Sequence, residues 1–462
     1  MVLEPHARRG HVRLRCPERV IDMLHDPGSN PEAAQTLAKA LAAHRAGRLD
    51  EAEKLYKTVL AAHADNAAAL SLLGTLEGQR GEWADAQIFL ERSLAIDPAQ
   101  PFARNSLGNV FALQFRHEEA IVQFDLAIAL KPGQVEAHEN KGNALLELRR
   151  HEEALASYEK ALAAQPQYAR AHALRGRALS LVGRFEDALA AYARAMTLKP
   201  SDADFHHYRL LTLKEMGRLD EALADSDSVM RLDPNRPYFP GEHLALMTEL
   251  CFWRGLDAGR ETLEAGVRVN KKVSLAFSFL SLSSSPELQH CCAGIYAKDK
   301  LRPTSPPLYG GERYKHDRIR IAYVSADFRN HAVAHALCGV LEHHDRTRFA
   351  PLAFSLCKRE ADPIQRRLAA AFEHFTDAET LSDERIASLL REKEIDIAVD
   401  LMGYTHESRP GIFARRPAPI QVNYLGFPGT MGADFMDYIV ADRMVIPEEE
   451  WRNYSEQAVY LP

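Results

Sequence analysis

One short segment, SADFRNHAVAH (residues 325–335), groups side chains that could perform acid–base chemistry. It follows the apolar run RIRIAYV and places Asp327, Asn330, His331 and His335 where a buried strand should end. Because an unperturbed histidine has a pKa of about 6.5, His331 suits proton transfer near neutral pH, and Asp327 could orient its ring. The alternative is a loop histidine beside a helix-capping aspartate.

The same segment raises the question of a metal. His331 and His335 are four residues apart and could bind zinc if both were helical. HAVAH lacks the glutamate of the HExxH motif, and no third ligand is evident. A metal-dependent hydrolase is therefore a weak alternative, and we expect no bound metal.

Two later apolar runs are also followed by polar or glycine-rich segments. IDIAVDLM leads into GYTHESR, in which Thr405, His406 and Arg409 could meet an anionic group or could simply be solvated. IQVNYL leads into GFPGTMG, which begins at Gly426. Its glycines would let the backbone approach a ligand, although a structural turn explains them equally well.

These segments need a scaffold, and the apolar runs predict one. From residue 318, strands and helices alternate, and we expect five parallel strands at RIRIAYVS, FAPLAFSL, IDIAVDLM, IQVNYLGF and MDYIVA. Ligands of such sheets bind beyond the carboxyl ends of the strands. Residues 318–462 are therefore predicted to form a Rossmann-like α/β lobe with the polar segments at one edge.

The first half of the chain is periodic. Alanine and proline each recur at intervals of 34 residues, and glycine keeps the same interval over four units. This period resembles the tetratricopeptide repeat and predicts six helix–turn–helix units over residues 33–234, an α-solenoid. The recurring positions are Ala52, Ala86, Ala120, Ala154, Ala188 and Ala222; Pro98, Pro132, Pro166, Pro200 and Pro234; and Gly74, Gly108, Gly142 and Gly176.

Each class of repeated residue has an expected role. The small residues should lie where paired helices touch, and each proline should close the second helix of its unit. Phe124, Tyr158 and Tyr192 are expected to fill the space between successive units. The concave face would hold extended peptides, with a spacer or dimerisation arm as the alternative. Asn140 and Asn143 could bind a ligand backbone there or could be solvated surface residues.

The remaining segments and the composition set limits. Residues 1–32 are expected to be a disordered lead-in, and residues 235–317 an irregular helical joint and linker with Trp253 as a packing anchor.

The net charge of −7 argues against a nucleic-acid partner. No window reaches the roughly 18 apolar residues of a membrane span. Six scattered cysteines without a disulfide framework favour the cytoplasm.

Four segments together resemble a known family: SADFRNH, DLMGYTHESRP, RRPAPIQVNYLGFPGTMG and MDYIVAD. They look like the N-terminal catalytic lobe of the protein O-GlcNAc transferases, which join tetratricopeptide repeats to a two-lobed GT-B-type glycosyltransferase of family 41. The resemblance implies an inverting, metal-independent transfer of N-acetylglucosamine from UDP-GlcNAc to Ser or Thr of proteins that the repeats recruit, without a cofactor.

The resemblance also implies roles for residues. His331 would lie over the reacting sugar with Asp327 close by, and either His331 or a donor phosphate oxygen would take the proton. Ala332 and Val333 stand where the animal enzymes have proline and threonine, so only backbone contacts are expected from them. A histidine pair of the family has no counterpart in SFLSLSSSPELQ (residues 278–289). The expected substrate-binding residues are Asn330, Ala332, Val333, Thr405, Arg409, Leu425, Gly426 and Pro428.

The family has a second lobe, which supplies the uridine site and a lysine for the leaving diphosphate. We expect this lobe to be absent here, since the sequence stops at VYLP, and we expect little transfer by these residues alone. The alternative is a tetratricopeptide protein-binding module with a vestigial catalytic lobe. A homodimer is a further expectation.

Overall fold

The computed structural model of the protein describes residues 31–301, 306–357 and 362–461. The chain divides into two compact units between Leu232 and Asp233. Residues 1–30 of the expected lead-in and residues 302–305 of the expected linker lie outside the described residues. The predicted fold class, a helical repeat followed by a parallel α/β domain, is confirmed.

The first unit consists of helix pairs with short turns between them. From α4 onward each second helix of a pair ends two residues before a repeated proline, as predicted, because proline cannot supply the next helical N–H. The helices are α1 Pro31–Arg45, α2 Leu49–Ala62, α3 Ala67–Arg80, α4 Trp83–Ile96, α5 Pro101–Leu113, α6 His117–Leu130, α7 Val135–Glu147, α8 His151–Ala164, α9 Ala169–Leu181, α10 Phe185–Leu198, α11 Ala203–Glu215 and α12 Leu219–Leu232.

The repeated glycines lie at the contact between the two helices of a pair. A Cβ atom at Gly108 would be 2.5 Å from the ring of Phe124, and one at Gly142 would be 2.5 Å from the ring of Tyr158. A methyl group at either position would therefore force the facing ring to shift. Since Gly108 and Phe124 belong to the same pair, the expectation that these rings fill the space between successive units needs correction: they also fill the space within a unit.

Neither asparagine of α7 is a freely solvated surface residue. Asn143 is buried, and its Oδ1 accepts a 2.8 Å hydrogen bond from the hydroxyl of Tyr158. Asn140 is half-buried and donates to Oδ1 of Asn105 on α5 at 3.0 Å. Both side chains therefore tie helices of the repeat together.

The second unit begins with four helices, of which the last two share a core with its sheet. Tyr238, Ala293 and Tyr296 lie in the same buried cluster as Ala322 and Phe354 of the sheet. Trp253, between the first two of these helices, is 63% exposed, so the expectation that it anchors packing is wrong. The helices are α13 Phe239–Glu249, α14 Leu256–Arg268, α15 Ala276–Leu282 and α16 Pro286–Lys300.

The sheet of the second unit has seven parallel strands in the order β3-β2-β1-β4-β5-β6-β7. The expectation of five strands missed β3 and β7, which are only four residues long and lie at the edges. The segment IQRRLAAAFEHF (residues 364–375) is helical only as far as Ala371 and then continues into β3. The strands are β1 Ile319–Ser325, β2 Phe349–Ser355, β3 His374–Asp377, β4 Ile397–Asp400, β5 Ile420–Tyr424, β6 Tyr438–Ala441 and β7 Gln457–Tyr460.

Both faces of the sheet are covered, which explains the continuous apolar strands. Tyr323 of β1 packs in one cluster with Leu337, and its neighbour Val324 packs in the other cluster with Ile386. The covering helices are α17 Ala332–Glu342, α18 Pro363–Ala371, α19 Asp383–Glu392 and α20 Gly411–Ala414. None of the helices in the described part of the chain has the length and apolar character that a bilayer crossing requires.

Candidate functional site

The strand order reverses between β1 and β4, which are hydrogen-bonded neighbours. In doubly wound sheets the loops that leave such strands diverge to opposite faces and open a crevice. The loop after β1 (residues 326–331) and the loop after β4 (residues 401–410) flank this crevice. The loop after β5 (residues 425–433) lies beside the second of them, because β5 pairs with β4.

The loop after β1 delivers His331 to the start of a helix. His331 has extended backbone angles and is the N-cap of α17, and its Nδ1 accepts from the N–H of Val333 at 3.3 Å. Its side chain is 45% exposed. Asp327 is buried, and the N–H of this residue donates to the Ser325 hydroxyl at 2.9 Å. The sequence therefore folds so that a fixed carboxylate lies beneath an accessible imidazole.

Two arrangements compete for Nδ1 of His331. This nitrogen is 3.3 Å from the Val333 N–H and 3.4 Å from Oδ2 of Asp327. If Nδ1 accepts from Val333, a neutral ring carries its proton on Nε2; if Nδ1 donates to Asp327, Nε2 has a free lone pair. Burial raises the pKa of Asp327, whereas the nearby His331 and Arg329 act to lower it.

An ion pair joins the loops on the two sides of the crevice. Nη2 of Arg329 lies 2.6 Å from Oε2 of Glu407 and 3.5 Å from Oδ1 of Asp327. Glu407 has a positive φ of 61°, a conformation that costs a non-glycine residue energy. Arg329 and Glu407 thus connect Asp327 to the loop that carries Thr405.

The residues around His331 divide by exposure. Asn330 is exposed, and its Oδ1 is 2.9 Å from Nε2 of His335. Ala332 is exposed, whereas the Val333 side chain is buried in the cluster beneath α17.

Since His331 precedes the helix, it and His335 do not form the helical pair that a zinc clamp would need. Within residues 31–301, 306–357 and 362–461, no group of three His, Cys, Asp or Glu could hold a metal ion.

The loop after β4 is held by its own backbone and by its neighbours. The Thr405 hydroxyl, half-buried, donates to the Met402 carbonyl at 2.8 Å. Arg409 donates to Asp383 at 2.7 Å and to the Leu381 carbonyl at 2.6 Å. The positive charge of Arg409 is therefore already paired within the unit.

The loop after β5 carries the remaining predicted residues. Leu425 is 39% exposed and has a positive φ of 74°. A Cβ atom at Gly426 would overlap the Leu401 carbonyl oxygen, so only glycine lets this loop approach the loop after β4. Pro428 is exposed at the tip.

Glu456, which sequence reasoning did not single out, and Gly432 of the GFPGTMG segment hold the far end of this loop. Glu456 is buried and accepts from the Thr430 hydroxyl and the Met431 N–H, each at 2.6 Å. Gly432, with φ 59°, sits so close to α16 that a Cβ atom would overlap the Gly294 N–H. Glu456 and Gly432 therefore fix the end of the β5 loop that lies away from Gly426.

The upstream segment 278–289, in which the sequence lacks the expected histidines, contributes apolar contacts instead. Leu280 on α15 lies 3.0 Å from where a Cβ atom of Gly429 would be. Just before the segment, the ring of Phe277 lies 6.4 Å from that of Phe427. This part of α15 therefore supports the β5 loop by packing.

Fold and site together define a helical repeat joined to a Rossmann-like unit with a polar crevice at its switch point. Residues 304–462 match the family described as "Glycosyl transferase family 41". Residues 43–107 and 139–203 match "Tetratricopeptide repeat". The predicted resemblance is thus confirmed, since one part of the chain resembles family 41 glycosyltransferases and another part resembles tetratricopeptide repeats.

Named relatives agree with this assignment. A probable UDP-N-acetylglucosamine--peptide N-acetylglucosaminyltransferase, SEC, of Arabidopsis thaliana is 37% identical over 187 residues, 40% of this chain and 19% of that protein. The UDP-N-acetylglucosamine--peptide N-acetylglucosaminyltransferase of Caenorhabditis elegans is 36% identical over 160 residues, 34% of this chain and 14% of that protein. The chain thus spans less than a fifth of the length of these relatives.

Among solved structures, a mutant of the O-GlcNAc transferase of Thermobaculum terrenum is 25% identical and aligns over 86% of this chain and 57% of that one. The TM-score of this comparison is 0.35.

Proposed function

We propose that the protein transfers N-acetylglucosamine from UDP-GlcNAc to Ser or Thr hydroxyls of proteins held by its repeats, with the reacting sugar at the crevice between β1 and β4. The observation that carries this proposal is the exposed imidazole of His331, placed at the switch point beside the buried carboxylate of Asp327. The names of the relatives supply the donor and the class of acceptor.

The chemistry needs a place for one proton. The acceptor oxygen attacks the anomeric carbon, the bond from that carbon to the phosphate oxygen breaks, and UDP leaves with the electron pair. The hydroxyl proton passes to a base. For His331 to be that base, Nε2 needs its lone pair, and the Nδ1 proton must then point to Asp327. Asp327 is therefore proposed to select the reactive tautomer.

Leu425, Gly426, Pro428 and Thr405 are proposed to line the sugar and acceptor side. Leu425 and Pro428 offer exposed surface, and the Thr405 hydroxyl has acceptor lone pairs left after it donates to Met402. Asn330 and the backbone of residues 332–333 border the same crevice.

The negative charge of a leaving diphosphate has no ready partner in these loops. Arg329 is paired with Glu407 and Arg409 with Asp383. Groups from outside these loops therefore have to stabilise the diphosphate. The same pairing favours the second candidate function, a protein-binding module with a vestigial lobe.

Recruitment of protein substrates is assigned to the repeats, and the cytoplasm remains the proposed location. The described cysteines are free thiols, which fits a reducing compartment. A homodimer and independence from metal stay predictions.

The test uses the complete protein that the reading frame encodes, with labelled UDP-GlcNAc and a Ser/Thr peptide. His331→Ala should lower kcat about 10²- to 10⁴-fold, the contribution usual for a general base. His343→Ala, an exposed histidine at the other end of α17, is the control and should leave kcat unchanged. Equal rates for both variants would reject His331 as the reacting group, and no transfer by the wild-type protein would favour the binding module.

The tautomer of His331 separates the two proton acceptors. If His331 takes the proton, Asp327→Asn lowers kcat because it favours the tautomer whose Nε2 carries the proton. A kcat that Asp327→Asn leaves unchanged assigns the proton to a donor phosphate oxygen.

A further inference from the structure

Two neighbouring strands carry buried side chains whose acceptor atoms lack partners. Asp400 ends β4 and Asn423 lies in β5; the residues are 3% and 0% exposed and are partners across the parallel pair. Oδ2 of Asp400 and Oδ1 of Asn423 have no hydrogen-bond partner among the described residues. Buried polar atoms are nearly always satisfied in folded proteins, so this pair of adjacent exceptions needs an explanation.

The other atoms of both side chains hold the loops of the candidate site. Oδ1 of Asp400 accepts from the N–H groups of Met402 and Gly403 at 2.9 and 3.1 Å. Nδ2 of Asn423 donates to the carbonyls of Phe427 and Gly429 at 3.4 and 3.3 Å. Each side chain thus anchors one loop from below.

The two side chains lie on the same face of the sheet. Val399 and Val422, the residues that precede Asp400 and Asn423, pack together in the cluster beneath α17. Because successive residues of a strand point to opposite faces, Asp400 and Asn423 both point to the other face. Their unpartnered oxygens therefore belong to neighbouring side chains, and one proton shared between them satisfies both.

We propose that Asp400 is protonated in the folded protein and donates from Oδ2 to Oδ1 of Asn423, so that one buried hydrogen bond joins the loops after β4 and β5. An ionised Asp400 would instead place a negative charge beside an amide oxygen with no donor between them. This assignment deepens the proposed function and rests on it, since Asp400 becomes a positioning residue for the loops that carry Thr405 and Gly426.

Burial favours the neutral form. It raises the pKa of Asp400 to about 7, against the opposing effect of the N–H groups of Met402 and Gly403. From β1, the facing groups are the apolar Val324 and the hydroxyl of Ser325, which donates to Met402 Sδ at 3.3 Å.

The remaining titratable groups on this side bring no positive charge. Tyr404 is buried and donates to the Met431 carbonyl at 2.6 Å. The ring of Tyr296 on α16 packs against the ring of Tyr404, with the ring centroids 4.7 Å apart. Glu456, in the segment before β7, acts to raise the pKa of the Tyr404 hydroxyl. None of these three groups would stabilise an anionic Asp400.

The sign of the resulting pH dependence follows from the raised pKa. Between the pKa of an unfolded aspartate, about 3.9, and the folded value of about 7, the folded protein binds more protons than the unfolded chain. The contribution of Asp400 to stability is therefore complete below this window and is lost as the pH rises through it.

Asp400→Asn tests the proposal, because an amide reproduces the shape and hydrogen-bonding pattern of a protonated carboxyl. The melting temperature of this variant should exceed that of the wild-type chain by a small margin at roughly pH 5, where the contribution of Asp400 is partly lost, and by a larger margin at roughly pH 9, where it is wholly lost. Asp434→Asn, which changes an exposed aspartate, is the matched control. Its melting temperature should change between the two pH values by the same amount as that of the wild-type chain.

A direct spectroscopic readout does not depend on the variant folding or on transferase activity. With ¹³Cγ-labelled aspartate, the wild-type chain should show one carboxyl that titrates near pH 7 and persists in Asp327→Asn, which removes the other aspartate with a raised pKa. An Asp400→Asn variant that is less stable than wild type at both pH values, or the absence of such a resonance, would overturn the proposal. Neither result depends on whether sugar is transferred, so this test fails or succeeds separately from the proposed function.

Discussion

The repeat unit and the sheet unit both use glycine where the chain is most crowded, but the glycines meet different groups. In the repeats, Gly108 and Gly142 face the ends of the aromatic rings of Phe124 and Tyr158. In the site, Gly426 faces the backbone carbonyl of Leu401. A side chain can rotate away from an added methyl group, whereas a backbone carbonyl in a sheet loop cannot. The comparison indicates that the repeat tolerates local repacking and that the site geometry does not.

The largest effect is expected at Gly426. Gly426→Ala forces the β5 loop away from Leu401, and a displacement of about 1 Å at a reacting site costs on the order of 10²-fold in rate. The kcat of the complete protein measures this. Gly339→Ala on α17, where a Cβ atom meets nothing within 4 Å, is the control and should retain full activity. Equal activity of the Gly426→Ala and Gly339→Ala variants would show that the site tolerates an added methyl group as the repeats do.

A repeat glycine should give a smaller effect on a different quantity. Gly142→Ala overpacks the contact with Tyr158 and should destabilise the chain by about 1–3 kcal/mol while the ring shifts. Chemical denaturation measures the loss. Gly133→Ala, which has open space around it, serves as the reference. If denaturation shows a larger loss of stability for Gly142→Ala than for Gly426→Ala, the proposed difference in tolerance between the two units is contradicted.

The repeats also offer an exchange between equivalent positions. Tyr158→Phe removes the donor to the buried Asn143 and should destabilise the chain by about 1–3 kcal/mol. One repeat earlier the ring is Phe124, and Oδ1 of the equivalent Asn109 has no partner among the described residues. Phe124→Tyr supplies that donor and should stabilise the chain by about 1 kcal/mol, as measured by denaturation. A destabilised Phe124→Tyr variant would show that the two repeats are not equivalent.

The smallest effect is expected from the ion pair that crosses the crevice. Arg329 and Glu407 are partly exposed, and a double-mutant cycle with alanine at each position should give a coupling of about 0.2–1 kcal/mol in stability. High salt should reduce it further. A coupling well above this range would mean that side chains, and not the backbone contact at Gly426, set the separation of the loops.

Parts of this architecture follow directly from the sequence. The strict 34-residue period fixes the helix pairs because every unit repeats the same contact, and the long apolar runs fix β1, β2, β4 and β5. The strands β3 and β7 were missed because they are edge strands whose residues are exposed or only partly buried, so neither carries the continuous apolar run of the inner strands. Trp253 was misjudged because a large aromatic residue in a loop carries no periodicity that would show its exposure.

The supporting residues of the site show the same limit. His331, Thr405 and Gly426 follow apolar strands directly, so sequence reasoning finds them. Glu407 pairs with Arg329, and Glu456 accepts hydrogen bonds from the loop after β5. These partners are far away in the chain, so they can be identified only when the strand order is known. Asp400 carried a signal that sequence reasoning overlooked, an aspartate in the last position of the buried run IDIAVD.

The proposed function requires that the loops after β1, β4 and β5 form one site for the sugar donor and the acceptor. Hydrogen–deuterium exchange of the complete protein, with and without UDP-GlcNAc and acceptor peptide, measures whether they do. The segments 326–335, 401–410 and 425–433 are expected to become protected together. Protection of only one of these segments, or of none, would contradict this requirement.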